Sequence, residues 1–125
     1  MKHLKARDMM IKDVTTIGCK EKIALADLIM TRSSIGGLPV VDGEKLVGII
    51  TQRDIMLARN YDIGGLSAED LMNKNPITIS PNTGLKEIMK VLLDKKIERL
   101  PVVERGKIVG LIVHGQILKA VYDSL

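Results

Sequence analysis

Phenylalanine and tryptophan are absent from these 125 residues, and tyrosine occurs only twice. The core is therefore expected to be aliphatic, built from Ile, Leu, Val and Met. Proteins that bind single-stranded nucleic acid stack bases on aromatic platforms, and this chain has almost none to offer. Cysteine occurs once, at Cys19, which excludes an internal disulfide and a zinc cluster of thiolates. His3 and His114 are the only histidines. A metal site would need clustered carboxylates, and none are suitably spaced. So few histidines and cysteines assemble no nucleophile, base and orienting acid, and no Gly-x4-Gly-Lys-Ser/Thr loop is present for phosphoryl transfer. The expectation is a chain without catalysis or metal. No run of five or six like charges forms a basic tail. Met1-Lys2-His3-Leu4-Lys5 leads into polar residues, with no apolar stretch long enough for a signal peptide or membrane span, so a cytoplasmic location without membrane contact is expected.

What is present is ordinary for a globular chain: 46% apolar and 27% charged residues. The length suits one domain or two very small ones tightly joined. A chain of this size buries roughly two-thirds of its unfolded surface and needs no metal or disulfide to fold. The formal charge of +4 suits a small anion as well as a polyanion.

An internal repeat sets the organisation. Leu38-Pro39-Val40-Val41 recurs as Leu100-Pro101-Val102-Val103, and Lys45-Leu46-Val47-Gly48-Ile49-Ile50 as Lys107-Ile108-Val109-Gly110-Leu111-Ile112, both 62 residues later. The offset holds back to Leu4, Ala6, Asp8, Met10 and Lys12, matched by Leu66, Ala68, Asp70, Met72 and Lys74. It reaches forward to Ile55 and Ala58, matched by Ile117 and Ala120. The copies are residues 1–62 and 63–125, joined near residues 59–65, where Gly64-Gly65 permits a bend.

Each copy opens with a short helical turn, and Ser67-Ala68-Glu69-Asp70 has the spacing of a capping box. Asp8 and Asp70 read as helix-start acids. Extended stretches follow at Thr15-Thr16-Ile17 and Ile77-Thr78-Ile79. Leu85, Ile88, Met89 and Leu92 then form one apolar helical stripe, matched from Ile23 to about Thr31 by Ile23, Ala26 and Met30. Two strands come next, Leu38 to Val41 and Leu46 to Ile50 in the first copy, joined by Asp42-Gly43-Glu44, where Gly accepts positive φ. A last helix begins near Thr51 and again near His114. The seven Met are expected at helical core positions. Cys19, which matches Pro81, reads as a passive loop residue.

The unit is thus α+β, with the order β-α-β-β-α. Strands apolar on both faces are buried on both, and helices can cover only one side of so small a sheet. The expected solution is two copies packed sheet to sheet about a pseudo-twofold axis, with two equivalent clefts at the seam.

The ordered set of a short helix, an extended Thr-rich segment, an amphipathic helix, Gly-Leu-Pro-Val-Val-Asp, Leu-Val-Gly-Ile-Ile-Thr and Arg-Asp-Ile resembles a CBS domain. Two copies from about Leu4 to Val121 resemble a tandem CBS pair, or Bateman module. The resemblance implies a regulatory module for an adenosyl ligand, namely AMP, ADP, ATP or, in some members, S-adenosylmethionine, held in the clefts between repeats. It also implies a homodimer and a separate effector protein that receives the signal.

By that pattern Thr51-Gln52-Arg53-Asp54 is the element that holds ribose and phosphate. A carboxylate can accept charge-assisted bonds from the ribose 2′- and 3′-hydroxyls, each contributing roughly 1.5–3 kcal/mol. Thr-x-x-Asp is also a helix cap that needs no ligand. The second copy reads Val113-His114-Gly115-Gln116 at this place, with neither hydroxyl nor carboxylate, so a dual role as cap and ribose acceptor is favoured for Asp54. One competent site per chain is expected, with Arg53 able to turn either way. Ile77, Thr78 and Ile97 would sandwich and edge-bond the adenine, and Pro101 is also expected among the ligand-binding residues. Arg99 and His114 would face the phosphates; a histidine at this point does so in some family members. Against these stand a plain ion pair of Arg99 with Glu98 or Glu104, and a plain helix-start role for His114. Gly36-Gly37 replaces Glu98-Arg99 in the first copy and clears the rim of the other cleft. The alternatives to a nucleotide sensor are a ligand-free dimerisation module and, least favoured, a nucleic-acid binder.

Overall fold

Branched residues at 38–41 and 100–103 lose little by being extended, and they pair as strands. A computed structural model describes residues 3–58 and 64–125; most of the expected joint near residues 59–65 lies outside the described residues. In chain order the elements are α1 (Ala6–Met9), β1 (Ile17–Gly18), α2 (Ile23–Ser33), β2 (Gly37–Asp42), β3 (Lys45–Thr51), α3 (Gln52–Leu57), α4 (Ala68–Leu71), α5 (Leu85–Lys95), β4 (Arg99–Glu104), β5 (Lys107–Val113) and α6 (His114–Ser124). The fold is mixed α+β. Its residues gather into two units: a continuous one, Thr15–Pro76, and a split one that joins Met1–Val14 to Ile77–Leu125.

In the continuous unit β1 lies parallel to β2, and β2 antiparallel to β3. In the split unit β4 and β5 form the antiparallel pair, and Ile79 makes a single parallel bridge to Val102. The hairpins close with different turns. Gly43 alone takes positive φ in the first, whereas Arg105 and Gly106 both do in the second, the pattern of a type I′ turn. Both amphipathic helices end in the left-handed conformation, at Ser34 and Lys96, so α2 runs two residues past the expected Thr31.

The cores are aliphatic. Leu38, Val40, Ile50, Ile23, Ala26 and Met30 are buried together in one unit, and Leu100, Val102, Ile112, Ile88 and Leu92 in the other. Cys19 corrects the expectation of a passive loop residue: it sits in a turn but is only 7% exposed and belongs to the first core. The methionines also depart from expectation. Met30 is a helical core residue, Met56 is 62% exposed, and Met10 and Met72 lie just beyond short helices in extended conformation.

Those two methionines mark the main architectural finding. Each unit takes its short helix from the other sequence copy: α4 packs with β1–β3, and α1 with β4–β5. The first N–H groups of a helix have no partner within it. Here Ala68 and Glu69 donate theirs to the carbonyls of Glu21 and Cys19, and Ala6 and Arg7 theirs to Thr83 and Pro81. Lys20 bonds Glu69 at 2.7 Å, which raises the lysine pKa, and Arg7 bonds Asn82 at the matching place. At α4, Ser67 donates both its N–H and its hydroxyl to Asp70, so the hydroxyl is a donor rather than the expected acceptor. These bonds hold the Asp70 carboxyl below the usual carboxylate range, and their stabilisation is lost as pH falls through that lowered value.

Past each short helix the chain runs onto a strand. Pro39 stands opposite Ile49, and Pro101 opposite Leu111. Ile49 exchanges backbone hydrogen bonds of 3.1 and 2.8 Å with Asn73, and Leu111 exchanges bonds of 3.0 and 2.9 Å with Ile11. Glycine makes room for this approach. A Cβ on Gly48 would lie 2.5 Å from Met72 Sδ and 2.7 Å from the Asn73 carbonyl oxygen, and one on Gly110 would collide with the Met10 side chain.

Two outcomes are expected. Gly48→Ala costs about 1–3 kcal/mol in urea unfolding, and Gly110→Ala costs less, because only the flexible Met10 side chain must yield there. A fragment of residues 15–76 unfolds cooperatively in urea, whereas a fragment of residues 1–62, cut at the sequence repeat, does not.

Candidate functional site

The last helix of each copy starts where a strand ends, and the two starts differ in chemistry. In the continuous unit Thr51 is the extended N-cap of α3. Its N–H donates to Asp54 Oδ2 at 2.8 Å, and its hydroxyl accepts the Asp54 N–H at 3.2 Å. The box is closed through Oδ2, and among the described residues Asp54 Oδ1 has no hydrogen bond. The Gln52 N–H donates to the Gly36 carbonyl at 2.9 Å, which ties the helix start to the segment entering β2. Asp54 is half-buried and Arg53 is exposed.

In the split unit Val113 occupies the N-cap of α6 and has no side-chain acceptor. Half of the box survives, because the Val113 N–H donates to Gln116 Oε1 at 3.4 Å. The helix therefore starts with a weak neutral contact where its counterpart has a carboxylate.

The other expected residues lie in the split unit. Ile77 and Thr78 are exposed beside the Ile79 bridge, Ile97 packs against the core, and Pro101 is fully buried in β4. Arg99 begins β4 and His114 begins α6. Arg99 and Val113 are partners in the β4–β5 ladder, and this brings Arg99 and His114 to one recess of about 240 Å³. Glu98 and Gly115 complete its lining. The Arg99 side chain is 21% exposed, and its guanidinium lies 3.6 Å from the carboxylate of Glu98, whose side chain is 71% exposed. So exposed an acid is a weak competitor for the arginine.

Of the lining residues, Glu98 was read from sequence only as an ion-pair partner of Arg99, and Gly115 was given no role. The signal for Gly115 was available: glycine in a helical first turn is unfavourable, and here it leaves open space beside His114. Glu98 gives no such signal, because an exposed acid beside an arginine is common.

Two βαββ-type halves, whose last helices start at Thr51 and Val113, define a tandem-repeat α+β module. The sequence matches the CBS domain family twice, over residues 6–61 and 68–123, and the chain belongs to that family. It is 41% identical over 109 residues to inosine-5′-monophosphate dehydrogenase of Korarchaeum cryptofilum, a match covering 86% of this chain and 22% of the relative. The chain thus spans less than a quarter of the dehydrogenases it matches. Among solved structures it resembles CBSX2, a CBS-pair protein of Arabidopsis thaliana, in complex with AMP, with TM-score 0.89, 26% identity and coverage of 96% and 97% of the two chains. It also resembles a Methanocaldococcus jannaschii protein proposed as an archaeal homolog of g-AMPK, with TM-score 0.88, 27% identity and coverage of 96% and 48%.

The two helix starts predict unequal costs of mutation. Thr51→Ala removes a hydroxyl cap and lowers unfolding free energy by about 1 kcal/mol, whereas Gln116→Ala, losing a contact of 3.4 Å, has a smaller effect in the same urea titration.

Proposed function

We propose that this CBS pair is a non-catalytic regulatory module that binds an adenine nucleotide, AMP, ADP or ATP, and passes the signal to a separate effector protein. Asp54 carries this reading. One oxygen of its carboxylate completes the helix cap, the other is available for a ribose hydroxyl, and the second copy keeps its helix without any carboxylate. In the same reading Arg99 and His114 face the phosphates, Ile77, Thr78, Ile97 and the Pro101 strand start meet the adenine, and Arg53 flanks the ribose. The AMP complex of CBSX2 supports the ligand class, which extends to S-adenosylmethionine.

The module is further proposed to act as a homodimer. Leu93, Leu118 and Tyr122 are 73–77% exposed on α5 and α6, and a groove of about 570 Å³ runs between these helices. An apolar face of this kind suits a second copy of the same surface. No helix among the described residues is long and apolar enough to cross a membrane. The apolar face equally favours the second reading, an assembly module without a small ligand.

Thermal unfolding with AMP, ADP, ATP, S-adenosylmethionine and GTP separates the two. A ligand at 100 times its Kd adds about 2.7 kcal/mol, which raises Tm by several degrees. An adenosyl compound is expected to give that shift, Asp54→Ala to weaken binding tenfold or more, and Arg99→Ala to weaken the phosphorylated ligands selectively. A shift unchanged by Asp54→Ala overturns the assignment of Asp54. No shift with any compound, in protein freed of copurifying nucleotide, favours the assembly reading.

A further inference from the structure

A further recess, of about 590 Å³, lies in the split unit between the leading segment and the start of α5, and neither Arg99 nor His114 lines it. Its ionisable lining residues are His3, Lys5 and Lys86, all basic, and its apolar surface comes from Leu4, Leu85 and Met89. The nearby acid on α1, Asp8, is bonded through Oδ2 to the Lys5 N–H, and Glu87 on α5 is not among the lining residues. The walls are fixed to each other. Leu85 donates its N–H to Leu4, Ala6 donates to Thr83, and Arg7 reaches Asn82 at 2.6 Å. The volume falls within the usual range for small-ligand sites.

Both lysines stand where the helices next to them disfavour positive charge. Lys5 is the N-cap of α1 and makes no side-chain capping bond, and Lys86 is in the first turn of α5. The other copy shows that the fold does not require them. Its matching residues are Ser67, a favoured cap, and Ala24, a favoured helix former, while Gly65 matches His3 and Asp27 matches Met89. Residues that violate local preference without a structural need are expected at binding sites.

We propose that this recess binds a small phosphomonoester with an apolar body, its phosphate on Lys5, Lys86 and His3 and its body on Leu4, Leu85 and Met89. The site is separate from the nucleotide reading and independent of Asp54.

Phenyl phosphate is the probe, followed by amide chemical shifts in the full chain carrying Asp54→Ala, with benzyl alcohol as the neutral comparator. Saturable shifts are expected at Lys5, Gly84 and Lys86. The double variant Lys5→Ser, Lys86→Ala carries the residues of the other copy and should keep the fold while weakening phenyl phosphate at least tenfold. Raising the salt concentration should weaken the parent protein more than the double variant. Shifts confined to Arg99 and His114, equal binding of benzyl alcohol, unchanged affinity in the double variant, or no saturable shift at all overturns the proposal.

Discussion

The fold depends on two places where a chain segment lies directly on a strand because the strand residue there is glycine. At Gly48 and Gly110 the missing Cβ admits the Met72 and Met10 side chains. That approach lets Asn73 and Ile11 reach the backbones of Ile49 and Leu111. It also holds α1 and α4, which at four residues each are far too short to be helical alone. Their first N–H groups are satisfied by carbonyls from the other copy, so helix, strand and loop stabilise one another.

The elements themselves were legible because each has a local cause. The stripe Leu85, Ile88, Leu92 has helical spacing, Val40 and Val102 are branched, and Gly43 accepts a turn. The exchange of leading segments was not legible, and the repeat itself is the reason. Met10 could lie on Gly48 or on Gly110, since both glycines sit between aliphatic neighbours, and a pattern that occurs twice does not say which partner each copy takes. The same ambiguity hid the burial of Cys19, whose carbonyl is capped by a residue 50 positions later.

The candidate site was legible through difference rather than likeness. Where the copies agree, as at Leu-Pro-Val-Val, they report the needs of the fold. Where they diverge, as at Asp54 against Gln116 or Arg99 against Gly37, the architecture has already been shown to tolerate the alternative. What could not be read was the neighbourhood of each side chain. The recess around Arg99 and His114 follows from the pairing of Arg99 with Val113, a register fact.

The exchanged segments also order events during synthesis on the ribosome. Residues 3–12 are made well before their strand partner Leu111, so this segment must wait unpaired until the second hairpin has been made. The continuous unit can close as soon as Met72 and Asn73 have cleared the exit, well before the second hairpin exists. Folding in chain order is thus interrupted: residues 15–76 settle first, and residues 3–12 are completed only by residues made after them.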